Sequence, residues 1–173
     1  MTVNVKNAHA AVGVVQFDSR QFPCALGRSG LSSIKMEGDG ATPIGRWALR
    51  RAYYRADRIQ RPITGLPLQA IRPTDGWCDA PCDPNYNRPV SHPYRASAER
   101  LWRHDHLYDL IIVVGYNDVQ RSRRRGSAIF IHVATPDFAP TEGCIALRRN
   151  DLIQLVGMMR PGQDLHIGPY HWR

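Results

Sequence analysis

A thiol and an imidazole fall within one short segment, AIFIHVATPDFAPTEGCIALRR (residues 128–149), in which His132 closes an apolar run and Cys144 follows Gly143. Cysteine attacks as its thiolate, so it needs a depressed pKa or a base within hydrogen-bond reach, and imidazole titrates near neutral pH. His132 is therefore the candidate general base for a Cys144 nucleophile. Gly143 has no Cβ, so the backbone there can take positive φ, and N–H groups around Gly143 and Cys144 could hold a developing oxyanion. Pro136 and Pro140 stiffen the connection between base and nucleophile. The same residue types also suit a buried core thiol and a hydrogen-bonded histidine, so the fold must decide between the two readings. A papain-like hydrolase would place its cysteine before its histidine, and the order here is the reverse.

The elements that must position these groups are mostly strands. Val12 to Phe17, Phe22 to Leu26, Arg46 to Tyr53, Leu110 to Tyr116 and Ala128 to Val133 are rich in β-branched or aromatic residues and are separated by Gly, Pro, Asn and Asp. Alternation along the last of these puts Phe130 and His132 on one face and Ile129, Ile131 and Val133 on the other. A short helix is expected from Ser97 to Asp105, with Ser97 as its N-cap. A second helix, capped by Asn150, carries Leu152, Leu155, Val156 and Met159 at helical spacing and stops at Pro161-Gly162, packing on the sheet behind the site. Asp164 to Gly168 is the expected final strand. No repeat, low-complexity segment or linker divides the chain, so one domain over residues 1–173 is expected.

Ile131-His132 on a strand and Thr141-Glu142-Gly143-Cys144-Ile145 on a turn resemble the signature of the L,D-transpeptidases, the YkuD-type cysteine peptidyltransferases of bacterial cell walls. EGDGATPIGRWAL (residues 37–49) is similar to the family's substrate-proximal segment, with Thr-Pro-x-Gly followed by an aromatic residue. DGWCDAPCDPNYNRPV and LYDLIIVVGYND resemble a compact branch whose cysteine motif reads Pro-Thr-x-Gly-Cys-(Val/Ile)-Ala-Leu, so the likeness runs from about Gly27 to Gly168. It implies a mainly β fold with a few helices, a YkuD-like β-sandwich, in which nucleophile and histidine share a groove. It also implies acyl transfer through a thioester on peptidoglycan stem peptides, with cross-linking at diaminopimelate, susceptibility to carbapenems and no metal or other cofactor. An L,D-carboxypeptidase trimming tetrapeptide to tripeptide in wall recycling is the first alternative, and a non-catalytic basic binding module the second. Thr141, Trp77, Tyr86 and Asn87 are candidate substrate contacts, although packing serves Trp77 and Tyr86 equally well. Tyr116 and Asn117 carry the same ambiguity.

The chain departs from the family pattern in places. Glu142 stands where many relatives have histidine, and a carboxylate aimed at the thiol would raise its pKa, so Glu142 should face solvent or an arginine. Ala146 stands where many carry an arginine thought to hold a substrate carboxylate, and Arg148 or Arg149 is the expected replacement. The family pattern needs no acidic third member, because a backbone carbonyl can orient the histidine; Asp137, the nearest acid, suits a turn.

Net charge is +8, which attracts nucleic acid, acidic lipid and carboxylate-rich wall polymer alike. RSRRR at residues 121–125 is expected to be a solvated loop, and no RNA-binding motif or basic helix with interleaved aromatics accompanies it, so nucleic-acid binding is not expected. No apolar run approaches the roughly 18 residues of a membrane span, and the N-terminal residues do not form a recognisable secretory signal. The resemblance implies a periplasmic or wall-associated enzyme, with a cytoplasmic one as the alternative; a monomer is expected. Of four cysteines, Cys24 suits a buried strand, Cys144 should be free, and Cys78 and Cys82 form either a disulfide or two ordinary thiols, their spacing being wrong for a usual zinc site. Residues 80 to 93 should form a long irregular loop over one side.

Overall fold

The computed structural model describes residues 1–5 and 7–169. Strands β1 (Thr2–Val5), β2 (Val12–Phe17), β3 (Arg20–Ala25), β6 (Gly45–Tyr54), β7 (Leu68–Ala70), β11 (Leu110–Val114), β12 (Phe130–Val133), β13 (Ile145–Leu147) and β14 (Asp164–Pro169) form one nine-stranded sheet. Its order is β11-β12-β13-β3-β2-β1-β14-β6-β7, and β11 also pairs with β6, so the sheet closes on itself. The fold is mainly β, as expected. A three-stranded sheet of β8 (Asp75–Cys78), β9 (Arg88–Ser91) and β10 (Ala98–Arg100) and a two-stranded one of β4 (Leu31–Ser32) and β5 (Thr42–Pro43) complete it. The one helix among the described residues is α1 (Arg149–Met158).

Two apolar clusters explain why β11 and β12 are buried along their whole length. Leu110, Ile112, Val114, Ile131, Val133, Ile145 and Leu147 join Leu152, Leu155 and Val156 of α1 in the main core. Ile111, Val113 and Phe130 point the other way and pack with Trp77, Leu101 and Tyr108 under the three-stranded sheet. A strand covered on both faces reads as continuous apolar sequence, which is what LIIVV is. Cys144 packs against the second cluster, so α1 lies behind the cysteine, as the sequence implied.

Several expectations need correction. Residues 97–105 are not helical: Ala98–Arg100 is β10, with Ala98, Glu99 and Arg100 opposite Cys78, Trp77 and Gly76, so pairing with β8 overrides the local helix signal. Asn150 does not cap α1, because it already lies inside the first turn and Arg148 is the N-cap, without a side-chain cap bond. The helix stops at Met158, where Met159 turns extended, before Pro161. The loop over residues 80–93 is interrupted by β9, which pairs with β8. The strand expected from Ala128 begins at Phe130, since Ala128 is held at φ +51°. The strand expected to reach Tyr116 ends at Val114. Cys78 and Cys82 are both free thiols, one buried and one exposed, which is the second of the two expected alternatives. No helix among the described residues is long and apolar enough to cross a membrane.

Candidate active site

Parallel pairing of β12 with β13 sets His132 beside Ala146 and Ile131 beside Ile145. Register partners share a face, so Phe130, His132, Cys144 and Ala146 face away from the main core. His132, Cys144 and Ala146 line one cavity of about 580 Å³.

His132 is 6% exposed, and its Nδ1 lies 2.9 Å from the carbonyl oxygen of Val133. A carbonyl only accepts, so Nδ1 carries the hydrogen and the Nε2 lone pair is left as the basic site. Burial lowers the imidazole pKa to about 4, against the help of that carbonyl, so the ring is neutral at pH 7. The ring of Tyr108 stands edge-on to it at 5.4 Å between centroids.

The thiol of Cys144 donates to the carbonyl of Ala128 at 3.2 Å and accepts the N–H of Phe130 at 3.3 Å. Burial is the main cause that pushes its pKa up to about 12; the Glu99 carboxylate adds to this, while the Phe130 N–H and the Lys35 cation work against it. The resting pair is thus thiol and neutral imidazole, not thiolate and imidazolium.

The turn that carries the cysteine is fixed from both sides. Thr141 Oγ1 donates to the Cys144 carbonyl at 2.7 Å and accepts the Gly143 N–H at 3.1 Å, while Thr141 N–H binds the Leu26 carbonyl at 2.8 Å. The Cys144 N–H has no acceptor among the described residues. Lys35, 3% exposed, lies beneath the turn and pairs with Asp39 at 2.6 Å. Glu142 turns outward to Arg28 at 3.0 Å, away from the thiol as expected.

Of the candidate substrate contacts, Thr141 lines the cavity, and Trp77, Tyr86, Asn87, Arg148 and Arg149 do not. Arg148 lies over the Phe138 ring, and Arg149, in the first turn of α1, binds Asp109 at 3.2 Å. Asn87 is buried beneath the site: its Oδ1 accepts Trp77 Nε1–H at 2.9 Å and Ala128 N–H at 3.1 Å, and its Nδ2 donates to the carbonyls of Tyr116 and Asn117. Since Ala128 in turn accepts the thiol proton, Asn87 holds the backbone against which Cys144 rests. Tyr86 accepts the Gly126 N–H at 3.0 Å and donates to Glu37. Asn87→Ala would strand two buried donors and two carbonyls, and is expected to cost about 3 kcal/mol. Chemical denaturation would measure this; Asn87→Asp, which keeps the acceptor but turns a second oxygen onto the Tyr116 and Asn117 carbonyls, should lose at least as much.

Sequence reasoning missed Glu37, Asp79, Glu99, Arg103 and Tyr108, all of which line the cavity. A buried Tyr next to Asp109 and a Glu-Arg pair four residues apart were legible as types, but the pairing of β8 with β10 is what brings Glu99 and Arg103 to the cysteine, and Tyr108 arrives ahead of β11. Among the described residues no group of three or more His, Cys, Asp or Glu could hold a metal ion.

Comparison with curated proteins and with solved structures found no match. The family described as the L,D-transpeptidase catalytic domain, YkuD, matches residues 3–167, from the first strand of the closed sheet to the last and across both halves of the cavity. With a histidine on one strand of that sheet and a cysteine on the turn that leads into the parallel strand beside it, the chain belongs to the YkuD L,D-transpeptidase catalytic domain family.

Proposed function

We propose that this domain is a cysteine-dependent L,D-transpeptidase of peptidoglycan stem peptides. The observation that carries the reading is that the thiol of Cys144 and an imidazole whose Nδ1 is tied to a backbone carbonyl open on one cavity. In the first step the thiol leaves the Ala128 carbonyl, His132 Nε2 takes its proton, and Sγ attacks the carbonyl between the L-centre of diaminopimelate and the terminal D-amino acid. The Cys144 N–H, free of other partners, meets the oxyanion, joined by the Gly143 N–H if it exchanges Thr141 for the stronger acceptor. Collapse returns the proton from His132 to the leaving amine and leaves a thioester. An acceptor amine then gives a cross-link, and water gives a tripeptide. Thr141 acts by fixing the turn. Arg148, Arg149, Tyr86, Asn87 and Trp77 support the walls without touching substrate.

The test is mass spectrometry of the protein incubated with disaccharide-tetrapeptide containing diaminopimelate. An adduct on the peptide bearing Cys144, together with dimers, establishes the transpeptidase; tripeptide alone turns the reading to a carboxypeptidase; no adduct with either the peptide or a carbapenem sinks it.

The pH profile follows from the histidine. Nε2 accepts a proton only while the ring is neutral, and burial keeps it so down to about pH 4. Release of the terminal D-amino acid should therefore fall on the acid side through a pKa near 4 rather than the usual ~6.5 of imidazole. A profile already falling at pH 6 would contradict the role, provided circular dichroism shows the fold intact.

A further inference from the structure

The cavity holds a set of charged groups that the acyl-transfer steps do not use. Glu99 on β10, Asp79 after β8 and Arg103 after β10 line it together with Cys144 and His132. Glu99 Oε1 accepts the Tyr108 O–H at 2.6 Å and faces Arg103 Nη1 at 3.5 Å, while its Oε2 has no donor among the described residues. Asp79 Oδ1 is buried and likewise lacks a donor. The two other carboxylates of the wall are committed elsewhere, Glu37 to Tyr86 and Ser127, and Glu142 to Arg28. Arg103 is the one arginine or lysine among the lining residues; Asp105 pairs with its Nε at 3.0 Å and with its Nη2, its Nη1 reaches Glu99, and it lies over the Tyr108 ring at 5.0 Å, so a substrate carboxylate would join this network at the exposed edge of the guanidinium. The buried Asp79 oxygen, an acceptor without a donor, carries a standing cost that a cationic ligand would remove.

We propose that Glu99, with Asp79 beside it, and Arg103 form a zwitterion subsite in which Glu99 takes an ammonium and Arg103 the carboxylate on the same carbon of the donor substrate. This rests on the stem-peptide reading above: the side-chain end of diaminopimelate carries such a free ammonium and carboxylate, and it stays intact while the L-centre carbonyl is attacked. The adjacency of the Glu99 carboxylate and the Arg103 guanidinium matches the adjacency of those two charges. A side chain that presents one charge only makes one of these two contacts and forfeits the other, which is how polar sites discriminate between close analogues.

The subsite also acts on the nucleophile. Cys144 faces Glu99 from β10, Tyr108 ahead of β11, His132 on β12 and Lys35 beneath the turn. Among these, the Glu99 carboxylate opposes loss of the thiol proton. An ammonium seated on Glu99 cancels that field, so the correct donor eases its own attack.

The experiment follows release of the terminal D-amino acid from four tetrapeptides: with diaminopimelate, with its side-chain carboxylate amidated, with its side-chain amine acetylated, and with lysine in its place. Wild type should lose about 10- to 100-fold in kcat/KM on each altered donor. Arg103→Gln should no longer distinguish the carboxylate from its amide yet still reject the acetylated amine, and Glu99→Gln should do the reverse. Glu99→Gln should also alkylate with iodoacetamide at lower pH than wild type. If Glu99→Gln fails to fold, Asp79→Asn reads the same ammonium preference. Equal losses on all four donors in both variants, or a wild type indifferent to them, would overturn the subsite while leaving the transpeptidase standing. Should no donor be cleaved, calorimetry of the four peptides on Cys144→Ala decides the subsite by itself: selective binding supports it, and unselective or absent binding ends it.

Discussion

Cys144→Ala is expected to abolish release of the terminal D-amino acid, a loss of about 10⁶-fold by analogy with other nucleophiles that act as a unit with their base. The fold should survive. The thiol makes two weak hydrogen bonds, to Ala128 and Phe130, and its removal deletes one atom at the wall of an open cavity. A thermal melt within a few degrees of wild type, with no carbapenem adduct by intact mass, is the expected pair of results. Release that persists in this variant would place the chemistry elsewhere. His132→Gln should be less severe, about 10²- to 10⁴-fold, because the attack loses its proton acceptor and not its nucleophile.

Gly143→Ala is expected to damage both fold and activity. Gly143 sits at φ +129°, where side-chain-bearing residues are strained, and an added Cβ would lie 2.6 Å from the Ala41 carbonyl oxygen. Backbone on backbone cannot yield as a flexible side chain would, so either the cysteine turn or the segment after Asp39 must move. The cost is about 3 kcal/mol, or a fall in Tm of roughly 6–12 °C for a chain of this size. A shift of even about 1 Å in the turn would cost a further 10²-fold in kcat. Gly38→Ala is the control: its φ is +73°, its missing Cβ points into open space, and only the backbone strain of about 1 kcal/mol should remain. Calorimetry on both variants separates the clash from the strain, and equal Tm values would refute the account.

That His132 and Cys144 share one cavity was legible because strand alternation aims His132 and the Gly143 turn carries Cys144; the outward turn of Glu142 was legible too, although its partner Arg28 is distant in the chain. The charged wall was not. Arg148 and Arg149 follow the cysteine closely, yet β13 ends at Leu147 and the chain enters α1, which sends one arginine to Phe138 and the other to Asp109. Arg103 is distant in sequence and reaches the cavity because β10 pairs with β8. Residues 97–105 have acceptable helix propensity, so nothing local announced that pairing. Asn87 looked like a ligand-binding amide because it follows an aromatic on a polar loop; burial among four backbone and side-chain partners makes it a strut.

β14 lies between β1 and β6, pairing parallel with the first strand of the chain and antiparallel with the sixth. A ribosome delivers Asp164–Pro169 after the other described strands, so the ring of the sheet stays open until that segment emerges and β1 waits on one edge for a neighbour not yet made. The cysteine and histidine strands can meet before that moment, but the barrel that presses them together cannot shut. Until β14 slots in, the nascent chain has the parts of the site and not its rigidity.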